Sequence, residues 1–493
     1  MTYAIRGLGL AAALALVSTL ALVPPSMAQT SPSAPVANVY VQISNGVNVY
    51  NTASNGRLTL VAGSPFKITG QMAGAMANHL VSLDDENIYV YSLASNGAVE
   101  GQVGETSIQD FSGSQCGTVS FSAFDRTGQD LYVGVSGAQN QNLGTQCIAI
   151  QSFKISSAGT PSYLGTTIPY NDSTNAMNVY YYQLVMSGGN QYAYAVVAGL
   201  SGTCDEPEIL AFQRESSGAL ELAGTQSVQY PEPPSGGWQY FPYAISVDSN
   251  NHLAVNLSPE QNAPCGTNGS PQLGSFSINN NGSIASTNTY QNMPTAAPTS
   301  GAGVEMGPLA PSNAVLPAAL GNNLQLFHFN GSSPITSMTG QIPVKGLMSV
   351  LQWDTSSHLY GLNISTKMLR VFTVTSNGLV EDPGSPMAIN GAQSLFVVSP
   401  TATCSAPSGN GVNVCSPAEG ATVTSPVSIN AAATVNGGVY RFSLWNKNTK
   451  LLNEDNGVME GSISLAPGTY KLIFDAVNSS GVHADATRDI TVK

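Results

Sequence analysis

Four histidines are the first candidates for acid–base chemistry, because a histidine side chain titrates near neutral pH. His79, His252, His328 and His358 lie next to turns or in strands, and no Asp or Ser stands at a spacing typical of a catalytic pair. We therefore expect packing or turn roles for them. No Gly-x-Ser-x-Gly sequence occurs, so a serine hydrolase of that type is unsupported.

Glu305 is the one acidic residue that we single out as a weak catalytic candidate. It lies in Gly303-Val-Glu-Met-Gly307, where the innermost strand of a repeat should run, so its carboxylate could face a central channel. The alternative is a solvated carboxylate at a strand end. Asp84-Asp-Glu86 and Asp205-Glu-Pro-Glu208 lack the spacing of a calcium loop, and solvated turns are expected there. We predict neither a metal site nor a cofactor.

The cysteines predict disulfides rather than a metal site, because no Cys-x-x-Cys and no Cys/His cluster with zinc spacing occurs. Six cysteines leave many pairings open. Cys404 and Cys415 are close in sequence and stand apart from the rest, so we pair them. Among the other four we favour Cys116–Cys147 and Cys204–Cys265.

The first 28 residues have the pattern of a secretory signal peptide. Arg6 precedes an apolar run from Gly7 to Val23, and Ser26-Met-Ala28 supplies the small residues that favour cleavage after Ala28. An uncleaved membrane anchor is the alternative. No later segment is apolar enough to span a bilayer. These features predict a secreted or periplasmic protein, with cell-surface association left open.

Composition favours a β-rich fold and excludes one large class of partner. Of 493 residues only 9% are charged, against roughly 25% in an average soluble protein, while short runs of Val, Ile, Leu, Tyr and Phe recur throughout. The formal net charge of −13 argues against nucleic-acid binding, which needs basic patches. We expect a monomer.

An aromatic residue followed six positions later by glycine recurs along the chain. The copies are 41 to 64 residues apart, a period typical of a propeller or solenoid, and the sixth copy is two residues shorter. We expect the aromatic residue to pack between sheets and the glycine to close a hairpin turn. The pairs are Tyr50/Gly56, Tyr91/Gly97, Phe153/Gly159, Phe212/Gly218, Phe276/Gly282, Phe327/Gly331 and Phe372/Gly378.

Each repeat contains strand, turn, strand, loop, strand, glycine turn and strand, which makes four antiparallel strands. Seven such units predict an all-β, seven-bladed β-propeller over residues 37–399. The first unit lacks its innermost strand, and Ala392–Ser399 is expected to supply it and close the ring. The second unit is the weakest, with Met76–Leu83 as its second strand.

Two units carry a resemblance to a known group of proteins. Gly56-Arg-Leu-Thr-Leu-Val-Ala-Gly-Ser-Pro-Phe66 and the similar stretch Gly378–Pro386 resemble units of the lactonase-like and YVTN-type seven-bladed propellers of bacterial secreted proteins. Relatives include 6-phosphogluconolactonases, whose site implies a carboxylate or His as general base and a cation for the phosphate. No motif here matches such a site residue by residue.

Outside the propeller, composition changes twice. Residues 29–36 look like a disordered lead-in, and residues 400–414 form a Ser/Pro/Gly/Asn-rich linker. Residues 415–493 hold about six alternating strands, which predicts a small Ig-like β-sandwich. Pro467-Gly-Thr-Tyr470 resembles the corner and strand F of bacterial Ig-like domains.

Loop lengths predict where function lies. The long connections, and Cys116, Cys147, Cys204 and Cys265, map to one face of the propeller, so we expect a disulfide-braced loop face that binds an extracellular protein or glycan. Trp238 and Tyr240 on that side could stack on a sugar or peptide. A lactonase-like hydrolase acting in the central channel is the alternative. A third hypothesis is a stalk-like surface protein in which the propeller is structural.

Overall fold

The computed structural model describes residues 35–493 except for short gaps. The gaps are 77, 95, 110–117, 137–147, 171–178, 202–203, 225, 227, 234–237, 262–268, 299–303, 355–357, 376–377, 400–403, 405, 424, 426, 455–456 and 464. The expected signal peptide and most of the lead-in lie outside the described residues. The described residues form strands and turns and no helix, so they include no helix that could cross a membrane.

Seven sheets of described residues follow one another from residue 37 to residue 398. The first begins with β1 (Ala37–Ile43), β2 (Gly46–Thr52) and β3 (Leu58–Leu60). The second has β4 (Gln71–Ala75), β5 (His79–Leu83), β6 (Asn87–Leu93) and β7 (Val99–Ser107). The third has β8 (Thr118–Phe124), β9 (Asp130–Ser136), β10 (Ile148–Ile155) and β11 (Pro161–Tyr170). The fourth has β12 (Val179–Met186), β13 (Tyr192–Ser201), β14 (Cys204–Arg214) and β15 (Leu220–Leu222).

The last three of these sheets each have a short additional strand. The fifth has β16 (Val228–Gln229), β17 (Trp238–Val247), β18 (His252–Gln261), β19 (Gln272–Ile278) and β20 (Ile284–Ala285). The sixth has β21 (Val304–Met306), β22 (Val315–Leu320), β23 (Asn323–Asn330), β24 (Ser333–Ser337) and β25 (Ile342–Pro343). The seventh has β26 (Val350–Trp353), β27 (His358–Asn363), β28 (Met368–Thr375), β29 (Gly378–Glu381) and β30 (Met387–Ala388).

Strand β31 (Ser394–Val398) returns to the first sheet and pairs antiparallel with β1. This confirms the prediction that a late strand completes the first unit. In the second unit, β4 supplies the innermost strand that the sequence marks poorly, and β5 begins at His79, three residues later than predicted. The first strands of neighbouring sheets contact one another, for example β12 with β17 and β17 with β21.

The repeated aromatic residues are buried in the core and the repeated glycines lie at turns, as predicted, and the glycines also allow neighbouring sheets to approach closely. All seven aromatic residues are buried, and all seven glycines have positive φ. A side chain on Gly56 of the first sheet would collide with Asp382 of the seventh, and one on Gly218 of the fourth would collide with Asp130 of the third. Glycine is therefore required for close packing as well as for the turn, and the first sheet packs against the last.

Polar clamps reinforce these junctions at the turns between first and second strands. Asp125 accepts hydrogen bonds from the main-chain N–H groups of Gln129 (2.9 Å) and Asp130 (3.0 Å), from the Thr127 hydroxyl (2.7 Å) and from Nδ2 of Asn190 (2.8 Å). Because Asn190 belongs to the next sheet's turn, this bond joins the third sheet to the fourth.

Two histidines take part in similar clamps, so the expectation of histidines without a partner Asp is wrong. Nδ1 of His252 lies 2.8 Å from Oδ2 of Asp248, and Nδ1 of His358 lies 2.7 Å from Oδ2 of Asp354. Each pair spans four residues across a turn. The roles are still those of turn histidines, because the carboxylates also accept the histidine main-chain N–H.

Residues 411–492 form two further sheets. Strands β32 (Gly411–Ser416), β34 (Val427–Thr434) and β37 (Val458–Ile463) make one sheet. The other contains β33 (Thr422–Val423), β35 (Arg441–Asn446), β36 (Thr449–Glu454), β38 (Gly468–Val477) and β39 (His483–Val492). Phe442, Leu444 and Phe474 are fully buried in their shared core.

The N-terminal end of this region differs from the expected linker. Strand β32 starts at Gly411, inside the segment 400–414, because a Gly- and Asn-rich composition hides a strand that pairs with β34. Cys404 and Cys415 form a disulfide with their Cα atoms 5.6 Å apart, which ties the preceding segment to this strand.

Candidate functional site

Glu305 lies on the wall of a cavity of about 470 Å³ between the fourth, fifth and sixth sheets. It is the middle residue of the short first strand β21, opposite Ala319 of β22. The neighbouring Met306 is buried in the core between the fifth and sixth sheets. The structure thus places this candidate on the first strand of the sixth sheet, as its position in the repeat predicts, and that its carboxylate faces a central channel stays a prediction.

Two polar residues of β18 form another wall of the cavity. Alternation along β18 places Leu253, Val255 and Leu257 in the core on the fourth-sheet side. Asn256 and Ser258 therefore point to the opposite side of the sheet, towards the sixth sheet, and both line the cavity. A strand in contact with two sheets can in this way bury apolar residues on one side and present polar residues on the other.

The amide of Asn256 is the most unusual group in the cavity wall. Only 3% of the residue is exposed, yet its Oδ1 has no hydrogen-bond partner. A buried polar atom without a partner costs about 1–3 kcal/mol relative to one that is hydrogen-bonded. The residue borders the cavity but this oxygen is closed to solvent, so a bound molecule supplies the missing donor only when the amide turns towards it.

Tyr243 and Gln183 complete the polar part of the wall, and each has a partner in the protein. The Tyr243 hydroxyl donates to Oε1 of Glu260 (2.7 Å). Oε1 of Gln183, on β12 of the fourth sheet, accepts the main-chain N–H of Ile245 (3.0 Å), which joins two sheets at the cavity. The remaining lining residues are Ala244, Pro271, Pro298, Val304 and Met306.

The carboxyl of Glu305 has no opposite charge beside it among the described residues. No hydrogen bond or ion pair joins it to any residue in the described part of the chain. Although Glu305 is exposed to the solvent of the cavity, the surrounding protein desolvates its carboxyl and raises its pKa above the ordinary value. A carboxylate with a raised pKa in a concave site is a candidate for binding or acid–base chemistry.

The cavity lies on the side predicted to carry function. Pro271 ends the long connection between β18 and β19, and Pro298 belongs to the connection between the fifth and sixth sheets. The long connection before Pro271 is one of those that the sequence assigns to the loop face, and in a propeller the connection from one unit to the next shares that face. The short turn 248–251, which holds the His252 clamp, is at the other end of β17 and β18.

Tyr240 is not the accessible aromatic residue that the sequence predicts. It is only 4% exposed, its ring belongs to the core between the fourth and fifth sheets, and its hydroxyl donates to Oε1 of Gln272 (2.6 Å). The physical reason is that residue 240 belongs to β17 rather than to the preceding loop, so it follows the alternation of a strand. Trp238, the first residue of β17, is partly exposed, but it does not line the cavity.

The bracing of the loop face is not described by the structure. Cys116, Cys147 and Cys265 lie outside the described residues, and of Cys204 only the main chain is described. The pairings Cys116–Cys147 and Cys204–Cys265 therefore remain predictions. Within the described residues, no group of three or more His, Cys, Asp or Glu is arranged to hold a metal ion.

Comparison with solved structures shows the fold of the larger region. A proposed 6-phosphogluconolactonase from Bacteroides uniformis is similar over 73% of this chain and 99% of its own, with 12% identity and a TM-score of 0.51. A protein from Lactobacillus plantarum (11% identity, 74% and 98% covered, TM-score 0.48) and one of unknown function from Desulfotomaculum acetoxidans (12%, 74% and 99%, 0.44) are less similar.

These likenesses concern the fold alone. At 12% identity, the similarity to the Bacteroides protein shows that the described chain contains a lactonase-like β-propeller. No protein-family model matches the sequence, and no curated protein matches it either. Function must therefore be argued from the cavity itself.

Proposed function

We propose that this protein is a secreted or periplasmic, seven-bladed β-propeller with a C-terminal Ig-like module, and that it binds an extracellular glycan in the cavity lined by Glu305 and Asn256. Seven consecutive sheets, the returning strand β31 and the contact of Gly56 with the seventh sheet support seven blades in a closed ring. The expected signal peptide and the Cys404–Cys415 disulfide support an oxidising compartment.

One contact supports the Ig-like assignment of the C-terminal region. The Tyr470 hydroxyl donates to the carbonyl oxygen of Ala466 (2.7 Å). Tyr470 lies near the start of β38, and Ala466 lies just before that strand. A tyrosine that bonds back to the main chain at such a corner is a feature of Ig-type sandwiches. We accordingly propose residues 415–493 as this module, with β32 added at its start.

The single observation that carries the binding proposal is the unpartnered Oδ1 of Asn256 in the cavity wall. Folding leaves this acceptor without a donor, and because the oxygen is closed to solvent, a ligand hydroxyl removes that cost only when the amide turns towards the cavity. A volume of about 470 Å³ is in the range of small-molecule sites, whereas a protein partner needs a broader contact surface. A sugar, with several hydroxyl donors, fits such a site better than a folded protein.

A glycan array tests this proposal with a matched pair of variants. We expect the mature protein to bind a subset of extracellular polysaccharides, and Asn256→Leu to lose about tenfold or more in affinity, because the ligand loses its acceptor. Asn250→Leu, in the exposed turn at the far end of β17, should bind like the parent. Absence of glycan binding, or equal binding by both variants, would contradict the proposal.

A lactonase-like hydrolase is the second candidate, and the raised pKa of Glu305 is the observation that favours it. A general base works best with a pKa near the working pH. A phosphorylated lactone is disfavoured, because no Lys or Arg is among the lining residues that the structure describes. Hydrolysis of unphosphorylated lactones by the wild type, lost in Glu305→Gln, would place this function above glycan binding.

A further inference from the structure

The charge around the cavity identifies the ligand class more narrowly, provided that the proposed binding function holds. We propose that the cavity selects a sugar carrying a free ammonium group, that is, a residue of an unacetylated amino-sugar polymer. Glu305 would face the ammonium group, and Asn256 would accept a hydrogen bond from a hydroxyl.

The fifth and sixth sheets, which form most of the cavity, contain no Lys or Arg. From Glu215 to Val344 the chain has six acidic residues and no Lys or Arg, a formal charge of −6 over a quarter of its length. The acidic residues are Glu215, Glu221, Glu232, Asp248, Glu260 and Glu305. A concave site in such a region attracts cations and repels carboxylate- or phosphate-bearing sugars.

One of these carboxylates is on the cavity wall, and a second lies behind a lining residue. Glu305 is on its wall, and Glu260 lies directly behind the lining residue Tyr243, whose hydroxyl it accepts. Neither forms an ion pair with a basic residue in the described part of the chain. An ammonium ion would supply the positive charge that the protein does not place there, through charge-assisted hydrogen bonds.

Among the described residues, Arg126 reaches the fifth sheet, but it does not serve that purpose. The Arg126 guanidinium extends from the third sheet and donates to the main-chain carbonyl oxygens of Val247 (3.3 Å) and Asp248 (2.7 Å). These lie at the turn end of β17, whereas Tyr243 and Ala244 are at the cavity. Arg126 is thus used to hold turns together at the opposite end of the strand.

An organic cation fits the wall better than a metal ion. Calcium takes six to eight oxygen ligands, and no cluster of acidic, His or Cys residues able to hold a metal is found among the described residues. The lining combines one carboxylate with the neutral polar groups of Asn256, Ser258 and Gln183 and with apolar residues. One charged contact and several neutral hydrogen bonds are what an amino sugar presents.

Calorimetric titration with three matched trisaccharides tests the inference. The probes are the β-1,4-linked trimers of glucosamine, N-acetylglucosamine and glucose, with trilysine as a cation that is not a sugar. We expect glucosamine trimer to bind about ten- to a hundredfold tighter than either neutral trimer, and Glu305→Gln to remove that preference, because a charged hydrogen bond contributes about that much. Glu221→Gln, on the exposed outer strand β15, should keep it.

The outcomes separate this inference from the proposed function. Equal or tighter binding of a neutral trimer would overturn the ammonium preference while leaving glycan binding intact. Tighter binding of trilysine than of glucosamine trimer would overturn the amino-sugar assignment in favour of a basic peptide. A preference that survives in Glu305→Gln would refute the role of Glu305. No binding of any trimer, with a positive glycan array, would overturn this inference alone.

Discussion

Acidic residues at the sheet junctions and in the cavity have opposite surroundings. Asp354, at a junction turn, is 2% exposed and bonds to Nδ1 of His358 (2.7 Å), to the His358 main-chain N–H (2.9 Å) and to the Tyr360 hydroxyl (2.9 Å). Glu305 is exposed to the cavity and has no such bond to any described residue, although the surrounding protein desolvates its carboxyl and raises its pKa.

This difference separates a structural role from a functional one. A carboxylate enclosed by donors stabilises the fold, and its removal leaves those donors without a partner. A carboxylate without a partner among the described residues contributes little to the fold, and on a cavity wall it is available to a ligand. The turn end of the molecule is therefore expected to determine stability and the loop end to determine recognition.

The largest effect is expected when a junction carboxylate is deprived of its partner. Asp130 is fully buried, its Oδ1 has no partner, and Arg214 bonds to its Oδ2 from the next sheet. Burial and the nearby charge of Asp125 raise the pKa of Asp130, which Arg214 opposes. Arg214→Leu should lower the free energy of unfolding in urea by about 3–5 kcal/mol, because it leaves a buried charge unpaired.

Arg57→Leu is the matched control for that variant. Arg57 is exposed beside the first glycine turn, so its loss should change the unfolding free energy by less than about 0.5 kcal/mol. Equal unfolding free energies for the two variants would show that the junction pairs do not stabilise the fold.

A smaller effect is expected from a glycine at the closure of the ring. Gly56→Ala and Gly384→Ala both place alanine at positive φ, which costs about 1–2 kcal/mol. Only the first brings its Cβ against Asp382, while nothing lies within 4 Å of the second. The free energy of unfolding of Gly56→Ala should therefore be lower than that of Gly384→Ala by about 1–3 kcal/mol. Matching melting curves would contradict the close contact of the first and seventh sheets.

Much of the fold can be predicted from the sequence, because strands and turns depend on residues that are close together in the chain. The six-residue spacing from Phe212 to Gly218 predicts a strand followed by a hairpin turn. The alternating residues after position 392 predict the strand that pairs with β1. The Asp-x-x-x-His spacing of the clamps is also present in the sequence, since Asp248 and Asp354 stand four residues before a histidine, but spacing alone does not predict a contact across a turn.

The cavity could be predicted only in part. The sequence predicts Glu305 because a strand position in a repeat can be counted. It does not predict Asn256, because the exceptional property of Asn256 is a missing hydrogen-bond partner, and that depends on how three sheets meet. The prediction for Tyr240 is wrong because the Pro- and Gly-rich residues before it suggest a loop, whereas β17 already begins at Trp238. Strand alternation then places the Tyr240 ring in the core.

The unfolding free energy of Glu305→Gln, measured beside Asp354→Asn, tests the central comparison most directly. At pH 7 we expect Asp354→Asn to lose about 2 kcal/mol or more, and Glu305→Gln to equal or slightly exceed the wild type. A raised pKa means that the folded state disfavours the ionised Glu305. Any gain in unfolding free energy from Glu305→Gln should therefore be complete at a pH above the folded-state pKa of Glu305. It should vanish below the unfolded-state pKa of about 4.3. A loss in Glu305→Gln as large as that in Asp354→Asn would show that Glu305 is a structural residue and contradict the account.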